Sequence, residues 1–363
     1  MSTAGEHNKA FGQRLAWVDS AKAISIVLVV LIHADRWLEF VGADSPWIGA
    51  FNELFTTMRM PLFFAMSGLL AQRWIHERSW RQLLTGKLRI LIWVFLVWQP
   101  IVFLYKISAA NFLPDQADSS LLAHLARLVG SPIRPNGETW FLWALVLFFV
   151  LAKVTRRVPP VVQVGVAGAI SAAWLTFGIA FIGKDVMRLL GDGWQGVFSY
   201  YFFFVAALYC RPALIALASR IRPWAAAPIV AIWIGSVIWV DSFGVDQWFP
   251  IPLILRLGAV VAGIAAATLL VRLPGLVRLG QTTLPVYLMH TPLIVVAACA
   301  LHVFGVDLSN EPTATLTPVI LAFIAIALSL VIFQRSLGNR IRFLYGPPAW
   351  WLGGKEKRFA GRE

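Results

Sequence analysis

Apolar residues in this chain come in runs about as long as a bilayer core is thick, about 20 residues each, and short polar connections separate them. The runs predict membrane-spanning helices near 21–38, 55–74, 88–106, 139–153, 160–182, 195–210, 224–241, 251–271, 282–304 and 314–334. The run at 139–153 is short, so its helix begins earlier than its apolar stretch does. Pro100, Gly165, Gly168 and Gly178 fall inside spans. They do not break the pattern, because neighbouring groups in a bundle satisfy the freed backbone. The fold class expected is an all-α, polytopic membrane helix bundle of about ten transmembrane helices.

Composition agrees. Hydrophobic residues make up 59% of the chain and charged residues 13%, where a soluble domain carries about 25% charged residues. The formal net charge of +13 does not indicate nucleic-acid binding, because the bases lie in short clusters between apolar spans. Cys210 and Cys299 both fall in apolar runs. They read as two small buried residues and supply neither a disulfide framework nor a thiolate metal site. A cleaved leader is not expected either: Lys9, Arg14 and Lys22 precede the first run, but no small-residue cleavage site follows it.

The charges give the orientation. Taking residues 1–22 and every second connection after them (73–89, 153–157, 211–222, 272–278 and the tail from 335) collects 23 of the 31 bases and five of the 18 acids. The other side holds eight bases and 13 acids, and it includes the longest connection, about 107–138. The positive-inside rule therefore places both termini in the cytoplasm. Trp37, Trp80, Trp98, Trp140, Trp194, Trp224, Trp239 and Trp248 lie near span ends, as interfacial anchors do. The chain divides into a transmembrane domain, residues 1–334, and a basic tail, 335–363. In the tail Trp350, Trp351, Lys355, Lys357 and Arg358 suit an anionic inner leaflet.

Ionisable groups inside spans are costly and mark function. His33 lies about 18 Å into the first helix, past mid-bilayer. Lys22 precedes it by eleven residues, so the two share a helical face to within roughly 20° and stand roughly 16 Å apart. A cation at the cytoplasmic mouth and an imidazole deep on the same stripe suit a long ligand threaded along the helix. Asp35 points to the other side and is a poor partner for the imidazole. His290 sits a few residues shallower than His33 and is expected to orient a ligand or polar group. Arg59 falls at the outer end of the second span, where topology or lipid contact is an equal reading. Ser67-Gly68 suits close helix approach.

Three segments carry a resemblance. Asp19, Lys22 and His33 in the first span, Met60-Pro61-Leu62-Phe63-Phe64-Ala65-Met66-Ser67-Gly68 in the second, and Gly280 through Tyr287-Leu288-Met289-His290 in the ninth resemble, in order, the elements of the acyltransferase-3 family of membrane acyltransferases. Trp140-Phe141-Leu142 is similar to the sugar O-acetylase subgroup, and Ala144-Leu145-Val146 stands where other members carry an acid. Of the family's paired arginines, Arg89 matches the second, Gly86 occupies the first position and Lys87 is the substitute. The resemblance implies transfer of an acyl group, usually acetyl from cytoplasmic acetyl-CoA, to a hydroxyl of a carbohydrate or lipid-linked glycan, in the bacterial inner membrane.

It implies His33 as general base or acyl acceptor, assisted by His290. Lys22, Lys87 and Arg89 would face the CoA phosphates. Arg59, Glu138, Trp140 and Tyr287 are the substrate-side candidates. Acyl-CoA, the glycan acceptor and membrane lipids are the partners; no metal or nucleic acid is called for, and the oligomeric state stays open. The alternative is a secondary transporter with His33, Arg59 and His290 as a proton or solute path.

Overall fold

The computed structural model describes residues 15–113, 120–135, 137–348 and 351. Lys9, Arg14, Trp350, Lys355, Lys357 and Arg358 lie outside them. The described residues form helices throughout, linked by turns: α1 (Ala16–Glu39), α2 (Pro46–Leu54), α3 (Arg59–Gln72), α4 (Trp80–Leu83), α5 (Arg89–Phe112), α6 (Leu121–Gly130), α7 (Trp140–Thr155), α8 (Pro160–Tyr209), α9 (Arg211–Arg220), α10 (Pro223–Ser242), α11 (Ile251–Leu270), α12 (Pro274–Gln281), α13 (Thr283–Val303) and α14 (Glu311–Ser336). Nine helical stretches among the described residues are long and apolar enough to cross a membrane.

One of these, α8, makes two passes. Its 50 residues would stretch about 75 Å if straight, far beyond a hydrocarbon core of about 30 Å. Gly183 and Gly191 adopt φ of 74° and 70° and interrupt the helix, a conformation that costs glycine little. The two halves then fold onto each other: Ser171 donates to the Ser199 carbonyl at 2.7 Å, and the Trp174 and Phe198 rings lie 4.6 Å apart. The ten expected passes are therefore present, at 160–182 and 195–210 as elsewhere.

The second pass starts earlier than its apolar run. Ser45 caps α2 by accepting from the Ile48 amide, with Pro46 in the first turn, as helix starts favour. This stretch carries Asn52 and Glu53, which lower its hydropathy below what a run of apolar residues reveals. Asn52 is nevertheless buried and donates to the Asp35 carboxylate at 2.6 Å. Asp35 thus has a partner on the side away from His33, as its helical position required.

Helix α1 runs through the middle of the bundle, packing against α3, α11, α12, α13 and α14. Two close approaches set this arrangement. A Cβ on Gly280 would lie 1.8 Å from the Asp19 carbonyl oxygen, and one on Gly68 would lie 2.0 Å from that of Phe204. Small residues at such crossings let backbones meet. Gly280→Ala should therefore force α12 off α1 and sharply reduce the yield of monodisperse protein on size-exclusion chromatography. Unchanged yield and melting temperature would show that the contact relaxes freely.

At the cytoplasmic end, Lys153 is buried and its ammonium donates to the carbonyls of Trp74, Ile75 and Arg78. A cation at the end of a helix satisfies carbonyls that have no partner within it. The start of the tail is docked as well. The Trp93 and Trp98 indoles donate to the Phe343 and Leu344 carbonyls at 2.8 and 2.7 Å, and the Trp351 ring lies 4.9 Å from that of Trp93. The described tail residues therefore lean on α5, and not on lipid alone.

Several sequence expectations change. Trp98 and Trp37 are buried in the bundle; they are packing residues and not interfacial anchors. Trp80, Trp224, Trp239 and Trp248 are exposed, as anchors should be. Cys210 is exposed and Cys299 half-buried. Cys210 ends up outside the packed core because it stands at the junction of α8 and α9.

Candidate active site

His33 and His290 face each other across α1 and α13, with His290 Nε2 3.0 Å from His33 Nδ1. The tautomers follow from the remaining contacts. His290 Nδ1 lies 2.9 Å from the Val286 carbonyl oxygen, which only accepts. Nδ1 must therefore carry the proton, which leaves Nε2 as the acceptor. His33 Nδ1–H then donates to that nitrogen, and the Thr291 hydroxyl also lies 3.2 Å from it. The consequence falls on the far edge of the first ring. His33 Nε2 keeps its lone pair and points at a chamber, where the Glu138 Oε1 atom stands 3.9 Å away.

His290 was expected to lie shallower than His33, and it does not. Gly280 meets Asp19 and His290 meets His33, so ten residues of one strand of chain match fourteen of the other. The non-helical turn at Thr282 (φ −122°, ψ 32°) separates α12 from α13, so the two contacts do not lie along one continuous helix and counting at a constant helical rise does not carry across the turn.

Glu138 is held from two sides. The Tyr105 hydroxyl donates to its carboxylate, and the Tyr287 hydroxyl donates to its main-chain carbonyl. It sits in the turn Gly137–Thr139 that leads into α7. Its place opposite the imidazole answers the absence of an acid at Ala144–Val146: the carboxylate comes from the start of the helix, two residues before Trp140.

Three adjoining cavities run through the bundle. The central one, 210 Å³, is lined by His33, Arg36, Arg59, Glu138, Trp140, Tyr200 and Tyr287 among others. On the cytoplasmic side a cavity of 360 Å³ is lined by Lys22, Ser67, Trp74, Lys87 and Thr282, and it shares Phe63, Phe141 and Tyr287 with the central one. On the outer side a cavity of 590 Å³ shares His33, Arg36, Glu138, Trp140 and Tyr200. The imidazole is thus approached from both faces.

The remaining sequence candidates fall as follows. Lys22 and Lys87 line the cytoplasmic cavity, with Lys22 also 3.4 Å from Asp19. Arg89 is not in that lining; one nitrogen donates to the Trp351 carbonyl at 3.5 Å, because α5 turns its first residue toward the docked tail. Arg59 is buried and lies within the second pass, not at its end. Its guanidinium donates to the Asn52 and Phe55 carbonyls and to the Thr56 hydroxyl, holding the turn between α2 and α3 while lining the central cavity. Trp140 stacks on Tyr200, centroids 6.1 Å apart. Tyr287 positions Glu138 and also forms cavity wall. Tyr105, Tyr200 and Thr291 were not anticipated, since nothing in a single sequence ties them to His33. Arg36, three residues beyond His33 on the same helix, was findable by spacing.

Comparison with known proteins adds the family. The family model described as an acyltransferase domain matches residues 15–334. The chain belongs to the acyltransferase-3 family. Curated relatives include nodulation protein NolL of Mesorhizobium japonicum, 29% identical over 136 residues, which are 38% of this chain and 34% of that protein. The NolL of Sinorhizobium fredii is 31% identical over 136 residues, 38% of this chain and 35% of the relative. Inner membrane protein YcfT of Escherichia coli is 26% identical over 161 residues, 40% and 45% of the two chains. The aligned part spans about a third to under half of these relatives. No solved structure matches. Family membership is what the acyltransferase reading anticipated and the transporter reading did not.

Proposed function

We propose that this member of the family is an O-acetyltransferase of the bacterial inner membrane, taking acetyl from cytoplasmic acetyl-CoA and placing it on a carbohydrate hydroxyl presented from the outer side. The observation that carries the reading is the geometry of His33, whose Nδ1 meets His290 while its Nε2 faces Glu138 in a chamber that adjoins cavities on both sides.

Lys22 and Lys87 meet the CoA phosphates at the cytoplasmic cavity, where ammonium groups serve as point charges. The thioester arm passes between Phe63, Phe141 and Tyr287 toward His33. The acceptor hydroxyl gives its proton to Nε2 while its oxygen attacks the thioester carbonyl. The C–O bond forms, the C–S bond breaks, and the departing thiolate takes the proton back from the imidazolium. Glu138 stabilises the imidazolium during that interval. His290 fixes the ring by accepting from Nδ1–H, so the lone pair stays on the nitrogen that faces substrate. The stacked Trp140 and Tyr200 rings offer apolar faces of the kind that sugar C–H groups pack on.

The test is release of free CoA thiol by purified full-length protein, given acetyl-CoA and a glycan extract of the producing organism. Release that depends on the extract supports the reading; solute flux through sealed vesicles without any acyl donor, and no thiol release, would overturn it. Lys22→Gln and Lys87→Gln should each raise KM for acetyl-CoA about tenfold with kcat little changed, since each removes a phosphate contact remote from the reacting atoms. Steady-state kinetics at varied acetyl-CoA checks this, and a fall in kcat alone would count against the donor assignment.

A further inference from the structure

The turn between α2 and α3 uses only part of the Arg59 guanidinium. An arginine carries five N–H groups, and three of these are spent on the turn. Nε–H donates to the Phe55 carbonyl, and the two Nη2 hydrogens go to the Asn52 carbonyl and the Thr56 hydroxyl. The two hydrogens on Nη1 have no acceptor among the described residues. Yet Arg59 is only 6% exposed, and a buried donor without an acceptor costs its full desolvation.

The open nitrogen is left to the central chamber, which Arg59 lines together with His33, Glu138 and Tyr287. At 210 Å³ this chamber is smaller than the pockets of about 300–1,000 Å³ that enclose whole drug-sized ligands. It admits the reacting ends of two substrates and little more. A group in its wall therefore meets the reacting atoms, not a remote part of either substrate.

Acyl transfer creates one need there that the histidines do not meet. As the acceptor oxygen bonds to the acyl carbon, the C=O pair moves onto the carbonyl oxygen and leaves it an oxyanion. His33 Nε2 is occupied with the hydroxyl proton in the proposed reaction, and His290 Nδ1–H is held by the Val286 carbonyl. The Tyr105 and Tyr287 hydroxyls both donate to Glu138, itself an anion. The Tyr200 hydroxyl in the same lining is neutral and gives a weaker bond than a guanidinium does. Arg36 lines the chamber too, but it is exposed, and no hydrogen bond holds it among the described residues. Oxyanion donors work by being aimed beforehand. Arg59 is the cation so aimed, because three bonds to one turn fix the plane of its fork.

We propose that Arg59 is a catalytic residue, whose Nη1 donates to the oxyanion of the tetrahedral intermediate. This rests on acyl transfer at His33 as set out above. When the electron pair returns to carbon, the C–S bond breaks, the thiolate takes the proton from His33, and Arg59 is left unchanged.

The test combines thiol-release kinetics with calorimetric titration of full-length protein in an uncharged maltoside detergent. The titrants are coenzyme A, its S-carboxymethyl derivative, which carries an anion at the acyl position, and the neutral S-carbamoylmethyl isostere. The natural protein should bind the carboxymethyl derivative at least about tenfold more tightly than the isostere, the worth of one charge-assisted bond. Arg59→Gln should lose that preference, bind coenzyme A as before, and fall about 10²–10³-fold in kcat, as when an oxyanion donor is removed. Arg59→Lys carries the same test if Arg59→Gln does not fold. Its ammonium stays on the Asn52 and Phe55 carbonyls and has no second arm for the chamber, so the preference should again be lost. A role confined to the turn would leave the ratio of the two affinities untouched. An unchanged preference in either variant, or a greater loss of kcat from Arg36→Gln, overturns the proposal. Natural turnover by Arg59→Gln also overturns it, while leaving the transferase reading intact. An Arg59-dependent preference in a protein that releases no thiol onto the glycan extract supports Arg59 and faults the acceptor assignment instead.

Discussion

Replacing His33 by alanine is expected to lower acetyl transfer about 10²–10⁴-fold, the range seen when a general base is removed. The folded protein should survive. The His33 side chain is partly open to the chamber, and its partner His290 keeps its contact to the Val286 carbonyl in the variant. Acetyl-CoA should still bind, since Lys22 and Lys87 are untouched. Thiol release under saturating donor, read beside size-exclusion profiles of the two proteins, checks both halves of the expectation. A well-folded variant with ordinary turnover would remove His33 from the chemistry.

The second large effect is expected at Glu138. Glu138→Gln keeps the side-chain shape and an oxygen for the Tyr105 hydroxyl, but removes the negative charge 3.9 Å from His33 Nε2. In the Ser-His-Asp arrangement the carboxylate also fixes the histidine tautomer, and its amide variant loses about 10⁴-fold. Here His290 fixes the tautomer through Nδ1, so the loss should be smaller, about 10²-fold in kcat. KM for acetyl-CoA should hardly move, because the donor phosphates sit at the far cavity. Glu138→Asp should fall between the two. A Glu138→Gln enzyme with normal kcat would mean that the carboxylate serves only to bind acceptor.

Much of the architecture was legible because bilayer physics writes it in length and charge. Apolar runs of one bilayer thickness gave the passes, and the alternation of basic and acidic connections gave their direction. The errors came where packing, not lipid, sets the structure. Asn52 and Glu53 hid the start of the second pass, since a buried Asn with a carboxylate partner costs little yet looks polar. Trp98 looked like an anchor because it sits near a span end, whereas its indole is used to pin the tail.

At the site, helical spacing placed Lys22 and His33 on one stripe, and the structure puts them in adjoining cavities along it. The direct contact of His290 with His33 was not legible, because the break at Thr282 offsets α13 from the helix before it. Sequence alone makes Glu138 a substrate-side candidate; its position opposite the imidazole depends on Tyr105 and Tyr287, from two other helices. Arg89 shows the converse, a motif position whose side chain the docked tail draws aside.

The proposed route from a cytoplasmic acyl donor through His33 to an outward glycan is tested most directly by mass spectrometry of surface glycans. Three strains are compared: one with the natural gene, one with the gene deleted, and one expressing His33→Ala at equal membrane levels. The geometry predicts a glycan bearing one added acetyl group in the first strain, and its absence from both others. The same acetylated glycan in the His33→Ala strain, or no difference between the natural and deleted strains, would contradict it.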